Sequence, residues 1–245
     1  MTENLLPGSV SIVIPARDEE GRIGPTLDTL LRGSGTLGLG EIVVVVNGTR
    51  DDTVGVIEQE ADGVAVPIRV LESPPGKGIA VRTGMLAATG PIRLYTDADL
   101  AVPVPDLARL ARQVLRGRDV VIGSREAPGA ARMGEPVTRH LVGRVFNLIV
   151  RTVALPGIRD SQCGAKAFTA SAAESIFSAS TSDGWAFDIE VLVLARLQGL
   201  QVAEIGVEWY YRAGSKVRPG VDAFAMLLGA LDVRRRLGRP PAERR

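Results

Sequence analysis

Between residues 9 and 124 the sequence alternates short apolar runs with stretches of helical periodicity, and few folds satisfy that pattern. Residues 9–15 (Ser-Val-Ser-Ile-Val-Ile-Pro) and 41–47 (Glu-Ile-Val-Val-Val-Val-Asn) are largely apolar on both faces, as strands buried in a parallel sheet are. Further runs lie at 68–72, from residue 92, and at 119–124. Between the first two runs Ile23, Leu27, Leu30 and Leu31 recur at helical spacing, with Pro25 in the first turns. Strand–helix–strand units of this length join parallel neighbours. The pattern therefore predicts an α/β fold with a mostly parallel central sheet flanked by helices.

Residues 33–40 read as a glycine-rich connector, and the helix after Arg50 is predicted to take Asp51 or Asp52 as its N-cap. After Arg125 the alternation breaks. A helix over 137–155 carries Leu141, Val142, Val145, Leu148, Ile149 and Thr152 at three–four spacing. Helices follow near 171–177 and out of 183–190, and 202–211 is a last strand.

The chain's 245 residues suffice for one large or two small domains, with 45% hydrophobic and 23% charged residues, as in soluble globular proteins. A net charge of +1 gives no global field for nucleic acid, so none is expected as a partner. From Arg212 onward, however, nine basic residues face three acidic ones, a local net of +6 that suits an anionic partner such as phosphate or lipid. One cysteine, Cys163, excludes an internal disulfide, and with one histidine, His140, it excludes Cys/His zinc sites. Both read as structural residues. No basic-then-apolar leader and no run of 18 uncharged apolar residues occurs, so the expected location is cytoplasmic.

The chemistry centres on residues 92–100, Ile-Arg-Leu-Tyr-Thr-Asp-Ala-Asp-Leu. Alternate residues of an extended chain point to one side, which aims Asp97 and Asp99 at one ligand. Two hard oxygen donors suit Mg2+ or Mn2+, with substrate phosphates and water completing the shell. Open α/β sheets collect ligands at the carboxyl ends of their strands. Taken alone, the pair also reads as a solvated turn. Lys77, between Gly76 and Gly78 ahead of a helix, offers a cation beside free helix N–H groups, a phosphate site, although an ordinary turn has the same composition. The glycine signatures of a P-loop and of a dinucleotide-binding turn are both absent.

The order of these pieces is specific. Residues 15–20 (Pro-Ala-Arg-Asp-Glu-Glu), 47–53 (Asn-Gly-Thr-Arg-Asp-Asp-Thr), 76–78 (Gly-Lys-Gly), 97–99 (Asp-Ala-Asp) and 121–125 (Val-Ile-Gly-Ser-Arg) together resemble the family-2 inverting glycosyltransferases of the GT-A fold. Residues 160–168 (Asp-Ser-Gln-Cys-Gly-Ala-Lys-Ala-Phe), 185–190 (Trp-Ala-Phe-Asp-Ile-Glu) and 214–216 (Gly-Ser-Lys) are similar to the polyprenyl-phosphate branch, nearest the dolichyl-phosphate glucosyltransferases. The resemblance covers residues 9–218. It implies one domain over 1–245, in which 9–125 binds the nucleotide sugar, 126–218 meets the acceptor and 219–245 is an amphipathic basic helix and tail.

Carried onto this chain, Pro15, Ala16, Arg17 and Glu19 would line the pocket for base and ribose, continued by Asn47. Here the chain departs from the family, whose usual pair before Gly-Ser is Asp-Asp; an Asn amide both accepts and donates, which keeps uracil among the candidate bases. Lys77 and Asp97 would meet the diphosphate, and Asp97 and Asp99 would hold Mg2+ or Mn2+. Ala101 stands where some mannosyl enzymes have Gln, which favours glucosyl transfer. Asp188 matches the catalytic base of sugar-polymerising relatives, and is alternatively the N-cap of its helix. Arg125, Arg212, Ser215 and Lys216 are candidates to grip donor or acceptor phosphates, with surface solvation the plain alternative for each. Trp185 is either a sugar-stacking ring or core, and Trp209 is core.

The expected reaction moves a hexose, from a UDP-glucose type of donor, to a polyprenyl phosphate, or alternatively to a hydroxyl of a small molecule in specialised metabolism. A nucleotidyltransferase would want a basic glycine-rich N-terminal loop where 15–20 is acidic, and a non-catalytic binding module would not need Asp97, Asp99 and Lys77 intact. Phe224, Leu227, Leu228 and Leu231 followed by Arg234, Arg235 and Arg236 form a candidate peripheral membrane contact at the inner face. Docking of those four side chains on the body of the protein is the alternative, and a homodimer is admitted.

Overall fold

The computed structural model describes residues 4–212 and 221–238. Nine strands occur among them: β1 (Val10–Ala16), β2 (Leu39–Val46), β3 (Ile68–Glu72), β4 (Ile92–Tyr95), β5 (Val120–Ser124), β6 (Ala131–Met133), β7 (Lys166–Thr169), β8 (Val202–Gly206) and β9 (Glu208–Tyr210). Seven of them form one sheet in the order β3-β2-β1-β4-β7-β5-β8, while β6 and β9 pair separately. Every neighbour in the large sheet is parallel except β7, antiparallel to both β4 and β5. The mostly parallel sheet expected from the sequence is therefore present.

The described helices are α1 (Glu20–Arg32), α2 (Ser34–Leu37), α3 (Thr53–Ala61), α4 (Lys77–Ala87), α5 (Val104–Leu115), α6 (Val137–Val153), α7 (Ala170–Ala179), α8 (Phe187–Leu197) and α9 (Val221–Leu237). They bury both sheet faces. Ile12, Ile14 and Val44 point to one side with Ile23, Leu27, Leu30 and Leu107. Val13, Val43 and Val45 point to the other with Val81, Met85, Phe177 and Leu192. With both faces covered, the central strands are apolar throughout.

Four details differ from the sequence reading. The connector at 33–40 contains the short helix α2, ended by Gly38 in the left-handed region at φ 59°. Strands β6 and β7 have only three and four residues and carry no clear alternation. The run 202–211 breaks at Val207, after which β9 pairs with β6. Asp52 stands at the cap position of α3 without a capping bond; Asp51 instead accepts from the Thr53 amide at 3.2 Å and the Glu20 amide at 3.1 Å.

The C-terminal helix sets aside the alternative that Leu228 and Leu231 dock on the body. Helix α9 docks through Met226, Ala230 and Val233, all buried, while Leu228 and Leu231 are exposed. The Phe224 side chain lies outside what is described. Arg234 donates to the Val153 carbonyl at 2.8 Å, and Arg236 turns inward. Among the described residues, no helix is long and apolar enough to cross a membrane.

Topology positions the site. The chain builds outward from β1 through β2 to β3, then returns to place β4 on the other side of β1. Connections leaving the carboxyl ends of β1 and β4 consequently diverge and open a crevice there. Residues 16–19 and 97–99 enter it from adjacent strands.

Candidate active site

The crevice is floored by two loops laced together. Arg50 N donates to Asp18 Oδ1 at 2.7 Å, and Glu19 N donates to Thr53 Oγ1 at 2.8 Å. Asp18 itself takes φ 51°, and Glu19 Oε2 lies 2.7 Å from Arg22 Nε. Asn47 is buried, and both its backbone N and its Nδ2 donate to the Ala16 carbonyl at 3.0 Å. A carboxylate at position 47 would have no hydrogen to give that carbonyl, so the side-chain bond depends on the amide. Pro15 and Ala16 close strand β1, and Arg17 follows on the rim, 3.9 Å from Asp18.

The carboxylate pair sits in a turn and not on an extended strand. Strand β4 ends at Tyr95, Leu100 N donates to the Asp97 carbonyl at 3.0 Å, and Leu100 takes φ 45°. Thr26 Oγ1 of α1 anchors the turn by donating to the Ala98 carbonyl at 2.7 Å. Asp97 Oδ1 meets Lys77 Nζ at 2.6 Å. Its carboxylate occupies the space that a side chain at Gly164 would fill, so the glycine is what admits it. Asp99 Oδ1 accepts from Ala101 N at 3.2 Å.

The two acids feel each other's charge. Burial, and then the Asp97 charge, raise the Asp99 pKa above the ordinary carboxylate value. For Lys77, burial works against the charged form, but Asp97, Asp188 and Asp99 together outweigh it and lift its pKa. The ammonium is therefore held in its charged form.

Helix α4 begins at Lys77 itself and not after it, and the amides that follow are not free. Gly78 N and Ile79 N donate to the Asp183 carbonyl at 2.8 and 3.4 Å, and Gly78 lacks a side chain where the Ser182 carbonyl presses. The phosphate-binding potential at this point therefore resides in the Lys77 side chain. Its ammonium also lies 5.4 Å from the Trp185 ring centre and 5.8 Å from that of Phe187.

Asp188 is neither a helix cap nor an exposed carboxylate. It lies inside the first turn of α8, 2% exposed, and Oδ1 accepts from both Lys166 Nζ and Tyr95 Oη. Lys166 is wholly buried and donates as well to the Cys163 carbonyl at 2.8 Å. Burial, then Asp188, push the Tyr95 phenol well above its usual pKa, so it stays a donor. The sequence reading missed Lys166 and Tyr95. Both were visible as polar residues within apolar runs, but the pairing across 22 positions required the unforeseen β7.

Arg125 forms a two-pronged ion pair with Asp160, at 2.7 Å through Nε and 2.9 Å through Nη2, beneath the Trp209 ring at 5.5 Å. Burial alone would raise the Asp160 pKa; Arg125 outweighs it and holds the group well below the usual range. A phosphate contact by Arg125 would have to open this pair. Arg212 is exposed near the Tyr210 ring and borders a cleft of about 560 Å3 between α1 and the 99–105 segment, with Asp99 on its wall. Ser215 and Lys216 lie outside the described residues. Trp209 is 9% exposed and packs in the core. Cys163 is fully buried, and burial pushes its thiol up to about 12, which fits a packing residue and not a nucleophile.

Among the described residues no three His, Cys, Asp or Glu side chains converge as a metal cage. Asp97 and Asp99 do converge, and a carboxylate pair fits a hard divalent ion that takes its other ligands from a diphosphate and water. The donor set is thus compatible with Mg2+ or Mn2+ only in company with substrate.

Comparisons with known proteins identify the family and the fold. The dolichyl-phosphate beta-glucosyltransferase of Drosophila melanogaster is 36% identical over 226 residues, spanning 86% of this chain and 69% of the relative. The human dolichyl-phosphate beta-glucosyltransferase is 32% identical over 228 residues, spanning 86% and 70%. Among solved structures, glucosyl-3-phosphoglycerate synthase of Mycobacterium tuberculosis, a GT-A glycosyltransferase, superimposes with a TM-score of 0.67 at 21% identity, over 96% of this chain and 82% of that one. Its complex with Mn2+, uridine diphosphate and glucosyl-3-phosphoglycerate gives 0.68 at 22% identity, over 96% and 81%. The model for Glycosyl transferase family 2 matches residues 11–177. The match runs from β1 into α7 and takes in the crevice, and the chain belongs to glycosyl transferase family 2, as a glycosyltransferase of the GT-A fold.

Proposed function

We propose that the enzyme transfers glucose from UDP-glucose, with inversion, to a polyprenyl phosphate, and that it requires Mg2+ or Mn2+. The observation that carries the acceptor is the state of Asp188. Its Oδ1 is engaged by both Lys166 and Tyr95 in a buried position, which leaves it poorly placed to reach a hydroxyl as a base. A phosphate monoester needs no such help, because its second pKa of about 6 leaves it largely ionised at neutral pH. The names of the curated relatives support the same acceptor class and the glucosyl group, and the uridine diphosphate seen in the solved neighbour supports the donor.

An acceptor phosphate oxygen attacks the anomeric carbon on the face opposite the leaving group. The bond from that carbon to the diphosphate oxygen breaks, and its electron pair departs with the nucleoside diphosphate. Lys77, paired with Asp97 at 2.6 Å, would neutralise the growing charge. Asp97 and Asp99 would hold the divalent ion, which when bound acts as a Lewis acid on the diphosphate. Pro15, Ala16, Arg17, Glu19 and Asn47 would take the base and ribose. Arg212 would meet phosphate from the cleft side, Ser215 and Lys216 are further candidates to grip phosphate, and Arg125 would hold the loop that follows β5. A lipid acceptor fits a peripheral membrane contact, for which α6 and α9 expose Leu148, Leu228 and Leu231 near the +6 end of the chain.

The test is to incubate the purified protein with UDP-glucose, Mn2+ and a polyprenyl phosphate. A chelator-sensitive lipid product that mild acid hydrolyses back to glucose, as a glycosyl phosphate does, is expected. An acid-stable glycoside, or equal turnover with EDTA present, would overturn the reading.

A further inference from the structure

We propose that Arg236, on the last helix and outside the crevice, is a positioning residue for Lys77, acting through Glu190 and the strap formed by residues 180–186. The strap is what the first turn of α4 rests on. Its Asp183 carbonyl accepts from Gly78 N and Ile79 N, and Trp185 lies 5.4 Å from the Lys77 ammonium. Most of the strap is neither helix nor strand, so side chains must hold it.

Glu190 is the main anchor. Fully buried in α8, it accepts from Ser182 N and Ser180 Oγ at 2.7 Å, from Thr181 N at 2.9 Å and from Thr181 Oγ1 at 3.1 Å. A buried carboxylate needs a counter-charge as well as donors. Arg236 Nη2 supplies it at 3.0 Å from Glu190 Oε1. The same guanidinium donates to Thr181 Oγ1 at 2.7 Å and Ser182 Oγ at 3.3 Å, while Asp232 orients it at 2.7 Å. From the other side Arg82 of α4 clamps the strap through Asp183 Oδ1 at 2.8 Å and the Ser180 carbonyl at 3.2 Å.

Arg236 is not what docks α9, because Met226, Ala230 and Val233 are buried there. Its side chain keeps 35% of its surface exposed. Removing it leaves the helix in place but frees the strap, and with it the start of α4. The consequence falls on the donor side of the reaction, where Lys77 acts, and spares the acceptor.

This rests on Lys77 meeting the donor diphosphate, so the experiment is a double-mutant cycle of Arg236→Ala and Lys77→Ala, with KM read separately for UDP-glucose and for polyprenyl phosphate. Arg236→Ala is expected to raise the donor KM about tenfold, as loss of a charge-assisted contact implies, with the acceptor KM unchanged. Arg236→Lys should recover most of it. In the Lys77→Ala background Arg236→Ala should add nothing. A donor KM at the parental value in Arg236→Ala, or effects that multiply in the double variant, would overturn the proposal. Should Arg236→Ala not fold, Arg236→Gln, which keeps donors toward Thr181 and drops the charge, runs the same cycle with the same criteria. If Lys77→Ala itself leaves the donor KM unchanged, the donor role of Lys77 fails first.

Discussion

Asp97, Asp99 and Lys77 carry the crevice, and each has a separable consequence. Asp99→Asn keeps shape but loses a hard anionic donor, so metal-dependent turnover should vanish while circular dichroism and melting stay near parental. Near-normal turnover in the variant without added metal would contradict the assignment. Lys77→Ala removes a charge-assisted contact worth about 1.5–3 kcal/mol. It should raise the donor KM and lower kcat together, since the departing diphosphate gains charge; parental kinetics across donor concentrations would make Lys77 an ordinary loop residue. Asp188→Asn strips the counter-charge from wholly buried Lys166. Breaking a buried pair costs about 3–5 kcal/mol, so urea unfolding should shift strongly. A variant with parental stability and no activity would instead mark Asp188 as the base. These positions differ in how far the sequence exposes them. Asp97, Asp99 and Lys77 stand in short local patterns and were readable. The partners of Asp188 were not, since Lys166 lies in a strand that only the folded sheet defines.

At the scale of elements, the strongly apolar strands β1, β2 and β5 were legible because burial on both faces leaves a continuous run. Strand β7 was not, since four residues inserted antiparallel between β4 and β5 need no periodicity of their own. Helix α9 shows a subtler failure. Its sequence contains two apolar stripes; the one with larger side chains was expected at a membrane, with docking on the body as the alternative, and the docked stripe is instead the smaller Ala230 and Val233 with Met226, which allow the close approach. At the start of β2, Glu41 ties three elements by accepting from Thr89 N at 2.6 Å, Ser11 Oγ at 2.7 Å and Arg69 at 3.0 Å. Burial would raise its pKa, but the bonds from Thr89, Ser11 and Arg69 outweigh it and hold the group at about 2. The folded value lies below the unfolded one, so this contribution is complete above about pH 4.5 and is lost as pH falls toward 2. Glu41→Gln should flatten the acid limb of a stability–pH curve over that window; an unchanged slope there would show that the carboxylate is not what binds these elements.

For the whole molecule, the sequence order and the fold agree on one place. The reversal of strand order beside β1 opens the crevice, and the residues that enter it include Asp97 and Asp99, whose spacing suggested one shared ligand. What the sequence left open was the acceptor, because a base and a structural carboxylate share the same letter until their neighbours are known. The most direct measurement is kcat/KM with UDP-glucose for two acceptors of equal chain length, a polyprenyl phosphate and the corresponding polyprenol, in the same detergent and with the same metal. The expected result is transfer to the phosphate and none detectable to the alcohol. Comparable rates with the two, or transfer to the alcohol alone, would show that a base operates after all and would contradict the account.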